Sequence, residues 1–149
     1  MWDKSETLAL TSDHAGFELK TFLLKVLKSE GYLLHDFGTY SSESVDYPDF
    51  AHKLGSAVNN QVFKRGIVIC GSGQGVNMTV NKYPGVRAAL CWNSEQANLA
   101  RRHNDANILS LPGRFIDFDE AIKAVKQFLN TDFEGGRHQI RVEKIPQII

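Results

Sequence analysis

The sequence predicts an α/β protein, a three-layer α/β/α sandwich built around a five-stranded parallel sheet. Three observations predict it. Short apolar runs rich in β-branched residues alternate with stretches whose apolar residues recur at helical spacing. The segments between the runs are long enough to hold crossover helices, as parallel strands require. No internal repeat, low-complexity segment or linker interrupts the alternation, so residues 1–149 read as one domain.

The elements follow in order. Residues 7–11 form an apolar run that ends at Ser12-Asp13-His14. Residues 17–30 carry Leu19, Phe22, Leu23, Val26 and Leu27 at helical spacing, and Gly31 is placed to stop the helix. Residues 32–36 read as a second strand, and 37–47, polar with Gly38 and several serines, as a loop. Pro48 suits the first turn of a helix whose apolar face is Phe50, Ala51, Leu54 and Val58. Residues 65–70 are a third strand, 71–75 a glycine-rich turn, and 76–81 the start of a helix. A fourth strand at 86–92, a helix at 94–103 and a fifth strand at 107–111 come next. Residues 118–129 place Ala121, Ile122, Val125, Phe128 and Leu129 on one helical face. Residues 137–145 form a last helix, which Pro146 ends. Strand order does not follow from the sequence.

Lys+Arg and Asp+Glu both count 17, so the net charge is zero and there is no basic excess for nucleic acid or a membrane surface. A local cluster for one phosphate is still compatible with that balance. Two cysteines, Cys70 and Cys91, do not make a disulfide framework, and both end apolar runs, which predicts buried or half-buried positions. No apolar run approaches the ~20 residues of a membrane span. The first residues, Met1-Trp2-Asp3-Lys4, lack the pattern of a signal peptide. The expectation is a cytoplasmic, soluble protein.

Ligands of open parallel sheets bind beyond the carboxyl ends of the strands. That singles out Asp13-His14, the segment Cys70-Gly71-Ser72-Gly73-Gln74-Gly75, and Pro112-Gly113-Arg114. Alternate glycines let the backbone turn tightly and present N–H groups, and the following helix adds partial positive charge. The turn lacks both the Walker pattern and dinucleotide spacing. Cys70 directly before it would have its thiolate favoured, as a base needs. The alternative is a small core cysteine with glycines that only turn the chain. His103 near a helix end can exchange protons near neutral pH; alternatively it is a plain helix-end histidine with Asn104 as the C-cap. Arg137 and Arg141, four apart, would share a helical face able to hold phosphate, or form a solvated basic turn.

Six ordered segments, SDHAG, DYPDFA, ICGSGQGVNMTVNK, GVRAAL, RRHNDANIL and EGGRHQIRVEKI, closely resemble the ribose-5-phosphate isomerase B family, which includes allose- and galactose-6-phosphate isomerases. The resemblance spans residues 8–145. It implies a Rossmann-like fold, no cofactor, metal-free chemistry through an enediolate, and a homodimer with shared active sites or a tetramer of two such dimers. It implies Cys70 as the base moving a proton between C2 and C1, with Gly71, Gly73, Gln74 and Gly75 offering backbone donors. His103 would open the furanose across the dimer interface, Ser72 would support ring opening, and Asn104 would touch substrate. Asp13 and His14 would meet the sugar or phosphate end, and Tyr47 would line the pocket. Arg137 and Arg141, in a tail at 132–149, would grip phosphate with Arg114 beside them. One family branch carries a glutamate after the glycine turn as its base; here that residue is Val76. Residues 1–6 match no family role. The implied reaction joins ribose 5-phosphate and ribulose 5-phosphate. The competing readings are a hexose 6-phosphate isomerase (allose before galactose) and a non-catalytic phosphate-binding module.

Overall fold

The structure, a computed structural model, describes residues 1–148. Its strands are β1 (Thr7–Ser12), β2 (Leu33–Asp36), β3 (Gly66–Cys70), β4 (Ala88–Leu90) and β5 (Ile108–Pro112). Its helices are α1 (Phe17–Ser29), α2 (Tyr47–Asn59), α3 (Gln74–Val80), α4 (Ser94–Asn104), α5 (Phe118–Asn130) and α6 (Arg137–Lys144), with a 3-10 turn at His14–Gly16. All strand pairings are parallel, in the order β2-β1-β3-β5-β4. The five-stranded sandwich predicted from the alternation is therefore present.

Strand alternation divides the core in two. Ile67 and Ile69 face α1, α4 and α5, where Leu19, Leu23, Ala97, Val125 and Phe128 pack. Val68 and Cys70 face α2 and α3, meeting Ala51, Leu54, Val58, Val76 and Val80. Residues pointing alternately into two apolar layers explain why β3 is apolar throughout. Each fully buried leucine contributes about 1.5–3 kcal/mol of transfer free energy.

Two expectations need correction. The fourth strand is three residues long, because after the Tyr83–Val86 turn only Ala88–Leu90 runs beside β5. Asn104 is the last helical residue and not the cap. Asp105 takes the left-handed cap position with φ 48°, and its carboxylate is held by Arg87 and Arg101. Residues 1–6 are tied down: Trp2 is buried, its backbone N–H donates to Asn130 Oδ1, and the Arg65 guanidinium lies 5.4 Å from its ring.

Strand order positions the site. β1, β3 and β5 are adjacent at the centre, so the three strand-end segments singled out by sequence lie side by side. Chain progression reverses between β1 and β3, which opens the crevice where ligands of such sheets bind.

Candidate active site

At the carboxyl end, local hydrogen bonding explains the shape. Asp13 caps the 3-10 turn, its Oδ1 accepting from the N–H groups of Ala15 and Gly16 at 2.9 and 3.1 Å. His14 Nδ1 accepts from Val45 N–H at 3.2 Å, so the proton of the neutral ring sits on Nε2.

The turn after β3 is braced by β5. Cys70 and Gly71 carbonyls accept from Gly113 and Arg114 N–H at 2.8 and 2.9 Å. The Gly73 carbonyl accepts from buried Ser110 Oγ at 2.5 Å. With its carbonyls engaged inward, the turn keeps N–H groups for an incoming oxygen. Gly73 has φ 74°, and a Cβ there would lie 2.6 Å from Leu90 Cδ1 and 2.9 Å from the Leu111 carbonyl carbon. Ser72 Oγ accepts from Gln74 N–H at 3.3 Å, leaving its own proton to donate.

Tyr47 and Arg114 close round this turn. A Cβ on Gly75 would meet the Tyr47 ring at 2.5 Å, and one on Gly71 would meet Arg114 Cδ and Nη1 at 3.3 Å. Cys70 is 5% exposed, at the end of its strand. Cys91 is buried more deeply, and desolvation pushes its thiol up to about 12, so it offers no base near neutral pH.

His103, Asn104, Arg137 and Arg141 form a second group elsewhere. α4 ends where β5 begins, and Ile108 pairs with Gly66 at the amino end of β3, whereas Cys70 pairs with Pro112 at the other end. β3 separates the two ends by roughly 13 Å at about 3.3 Å per residue. A single chain therefore brings Asp13, His14, Tyr47, residues 70–75 and Arg114 together, and keeps His103 and the tail arginines apart from them.

At this second corner α6 packs on α4, and His103, Asn104, His138, Arg141, Val142 and Ile145 line a hollow of about 370 Å³. Gly135 and Gly136, at φ 68° and 55°, make the sharp entry into α6. Glu134 and His138 were not singled out from sequence. Their i,i+4 spacing is the available signal, but two glycines between them hide it from a helix count. Arg102 holds the Glu134 carboxyl below its usual range, and desolvation, with His103 next, lowers His138.

Arginine pairing separates structural from ligand-facing cations. Arg65 donates to the Phe128 and Leu129 carbonyls, Arg87 and Arg101 bind Asp105, and Arg102 binds Glu134. The Arg114, Arg137 and Arg141 guanidinium groups have no hydrogen-bond or ion-pair partner among the described residues. Unpaired guanidinium groups beside a cleft and a hollow suit a phosphate. No helix among the described residues is long and apolar enough to cross a membrane.

Comparison with known proteins gives the family. The model of the family described as Ribose/Galactose Isomerase matches residues 8–145. Ribose-5-phosphate isomerase B of Escherichia coli is 40% identical over 141 residues, covering 95% of each chain. A ribose 5-phosphate isomerase from Thermotoga maritima superposes with a TM-score of 0.94 at 47% identity, covering 96% of this chain and 99% of that one. The Mycoplasma genitalium ribose-5-phosphate isomerase B with bound ribulose-5-phosphate superposes with a TM-score of 0.91 at 43% identity, covering 97% and 96%. The chain belongs to the ribose/galactose isomerase family, that of the type B ribose-5-phosphate isomerases.

Proposed function

We propose that this protein interconverts D-ribose 5-phosphate and D-ribulose 5-phosphate as a homodimer. Each active site would join the carboxyl-end group of one copy to the α4–α6 corner of the other. The observation that carries the reading is the split itself. The base candidate Cys70 and the acid–base candidate His103 sit at opposite ends of one sheet, each beside unpaired arginines. An isomerase acting on a closed sugar needs both groups within reach of one substrate. Twofold symmetry supplies both when the two ends of different copies meet. Trp92 and Phe115, stacked at 5.4 Å and 46% and 60% exposed, offer apolar surface for such a contact.

The chemistry follows from the groups. His103 takes the proton of the anomeric hydroxyl and returns one to the ring oxygen as the C1–O4 bond breaks, giving the open aldehyde. The Cys70 thiolate takes the C2 proton, and the electron pair moves to form the enediolate. The proton is then delivered to C1, while the O2 hydroxyl loses its proton and becomes the ketone oxygen; O1 gains one. N–H groups of the turn glycines, Gly71, Gly73 and Gly75, hold the enediolate oxygen, with Ser72 as a hydroxyl donor. Preorganised donors of this kind are worth about 3–4 kcal/mol each. Asp13, His14 and Tyr47 orient the sugar with Asn104 of the second copy, and Arg114, Arg137 and Arg141 balance the phosphate. No step asks for a metal or a cofactor.

The pentose assignment rests on the intact RRHND and GGRHQ segments and on the names of the relatives. Steady-state kinetics on ribose 5-phosphate, allose 6-phosphate and galactose 6-phosphate test it. We expect the highest kcat/KM on the pentose, and a hexose preference would overturn the choice.

A further inference from the structure

Glu134, His138 and His103 form a cluster of which the isomerase reading uses only one member. Two glycines at positive φ fold Glu134 back over the start of α6, facing His138, while His103 arrives from the last turn of α4. The two imidazoles stack with centroids 4.4 Å apart and planes 11° from parallel. Glu134 Oε2 lies 3.5 Å from His138 Nε2 and 4.0 Å from His103 Nε2, and the three ligand atoms all lie within 4.8 Å of one another. The other oxygen of Glu134 accepts from Arg102 Nε at 2.5 Å, which turns Oε2 towards the two imidazoles.

Two imidazole nitrogens and one carboxylate oxygen are the donor set of zinc-class cations, and three protein ligands leave an open coordination position. Bonds of about 2.0–2.1 Å in a tetrahedral shell put neighbouring donors about 3.3 Å apart. The two carboxylate–imidazole gaps, 3.5 and 4.0 Å, need to close by less than ~1 Å and the imidazole–imidazole gap by at most about 1.5 Å, and one ring must turn out of the stack so that both nitrogen lone pairs meet the ion. The hinge for that movement is present, because Gly135 and Gly136 join Glu134 to α6 and His103 is 35% exposed. Arg137 and Arg141 stand nearby on α6 and oppose a dication, so the ion is held reversibly.

We propose that His103, Glu134 and His138 bind a divalent cation of the zinc class at the α4–α6 corner. The ion takes the Nε2 of His103, the atom that would otherwise exchange protons with the sugar, and so acts as a reversible inhibitor. The binding claim stands on this geometry alone, and the inhibitory claim rests on the isomerase reading above.

Cobalt(II) is the probe, because three- and four-ligand nitrogen–oxygen sites give visible d–d bands and thiolate ligands add a near-ultraviolet charge-transfer band. The full chain is titrated as wild type, Cys70→Ser, Glu134→Gln and His138→Gln. We expect d–d bands saturating at one equivalent per chain in wild type and Cys70→Ser, without the sulfur band, and their loss in the other two variants. Bands that vanish in Cys70→Ser, or persist in both Glu134→Gln and His138→Gln, overturn the site. Zinc added to wild-type enzyme turning over ribose 5-phosphate should inhibit, with recovery on chelation. Full turnover with the cobalt bands intact would refute the inhibitory role, and no turnover in any metal-free sample would refute the isomerase reading and leave the site standing.

Discussion

Cys70 and Cys91 are chemically the same group placed in two environments. Cys91 is sealed in the core layer that holds Ala97, Leu109 and Val125, its thiol held up to about 12 by desolvation. Because its folded pKa exceeds the ordinary 9.0, its contribution to stability is present below about 9 and is lost as pH rises towards about 12. We expect iodoacetamide at pH 8 to leave Cys91 unmodified in the native protein and to modify Cys70, with protection by ribose 5-phosphate; peptide mapping reads both. Labelling of native Cys91 would contradict the burial argument. Cys70→Ala should abolish turnover, with unchanged circular dichroism. Lys20 makes a different residue-scale point. Its ammonium is buried and donates to Asp36 Oδ1 at 2.5 Å and Thr39 O at 2.7 Å, and burial lowers its pKa. Lys20→Met should cost about 2–3 kcal/mol in denaturant unfolding, below the usual range for a broken buried pair because Asp36 can rehydrate. An unchanged midpoint would contradict it. The residue types at Cys70, His14 and Arg114 were legible because each ends or follows an apolar run. Lys20 was not, since helical spacing cannot show that a lysine points inward.

Elements were legible where side-chain period and stop signals coincide, as at Leu19–Leu27 with Gly31, or Ala121–Leu129. They were misjudged where tertiary pairing decides length. β4 is cut to three residues by the partner it finds in β5, a contact no local pattern encodes. The turn between β3 and α3 tests element-level reasoning directly. Gly73→Ala forces a side chain into a left-handed φ and against Leu111 backbone, which should cost about 3 kcal/mol and lower the yield of folded protein. Gly75→Ala sits inside α3, where alanine favours the helix by about 1 kcal/mol, but its Cβ displaces the Tyr47 ring. We expect Gly75→Ala to stay folded by thermal melting while kcat/KM falls, and equal loss of stability in both variants would contradict the distinction.

At the scale of the molecule, sequence placed six segments in order but not in space. Strand order, which depends on which crossovers bury the most surface, brings β1, β3 and β5 together and carries His103 to the far end. Parallel strands return each helix to the amino end of the sheet, so a residue at the end of α4 cannot serve a site at the end of β3 in its own chain. The ring-opening role can be isolated with a 4-deoxy analogue of ribose 5-phosphate, which has no hydroxyl to close the furanose. His103→Asn should spare turnover of that open aldehyde relative to ribose 5-phosphate, and equal losses would remove the role. The shared site is tested most directly by subunit complementation. Cys70→Ala and His103→Asn chains, each inactive alone on ribose 5-phosphate, are unfolded together in equal amounts and refolded. Half of the dimers then pair unlike chains, and each of those holds one site with both residues intact. Recovery of about a quarter of wild-type activity is the expected result. A mixture as inactive as its parents, with mixed dimers demonstrated by mass, would contradict the shared site.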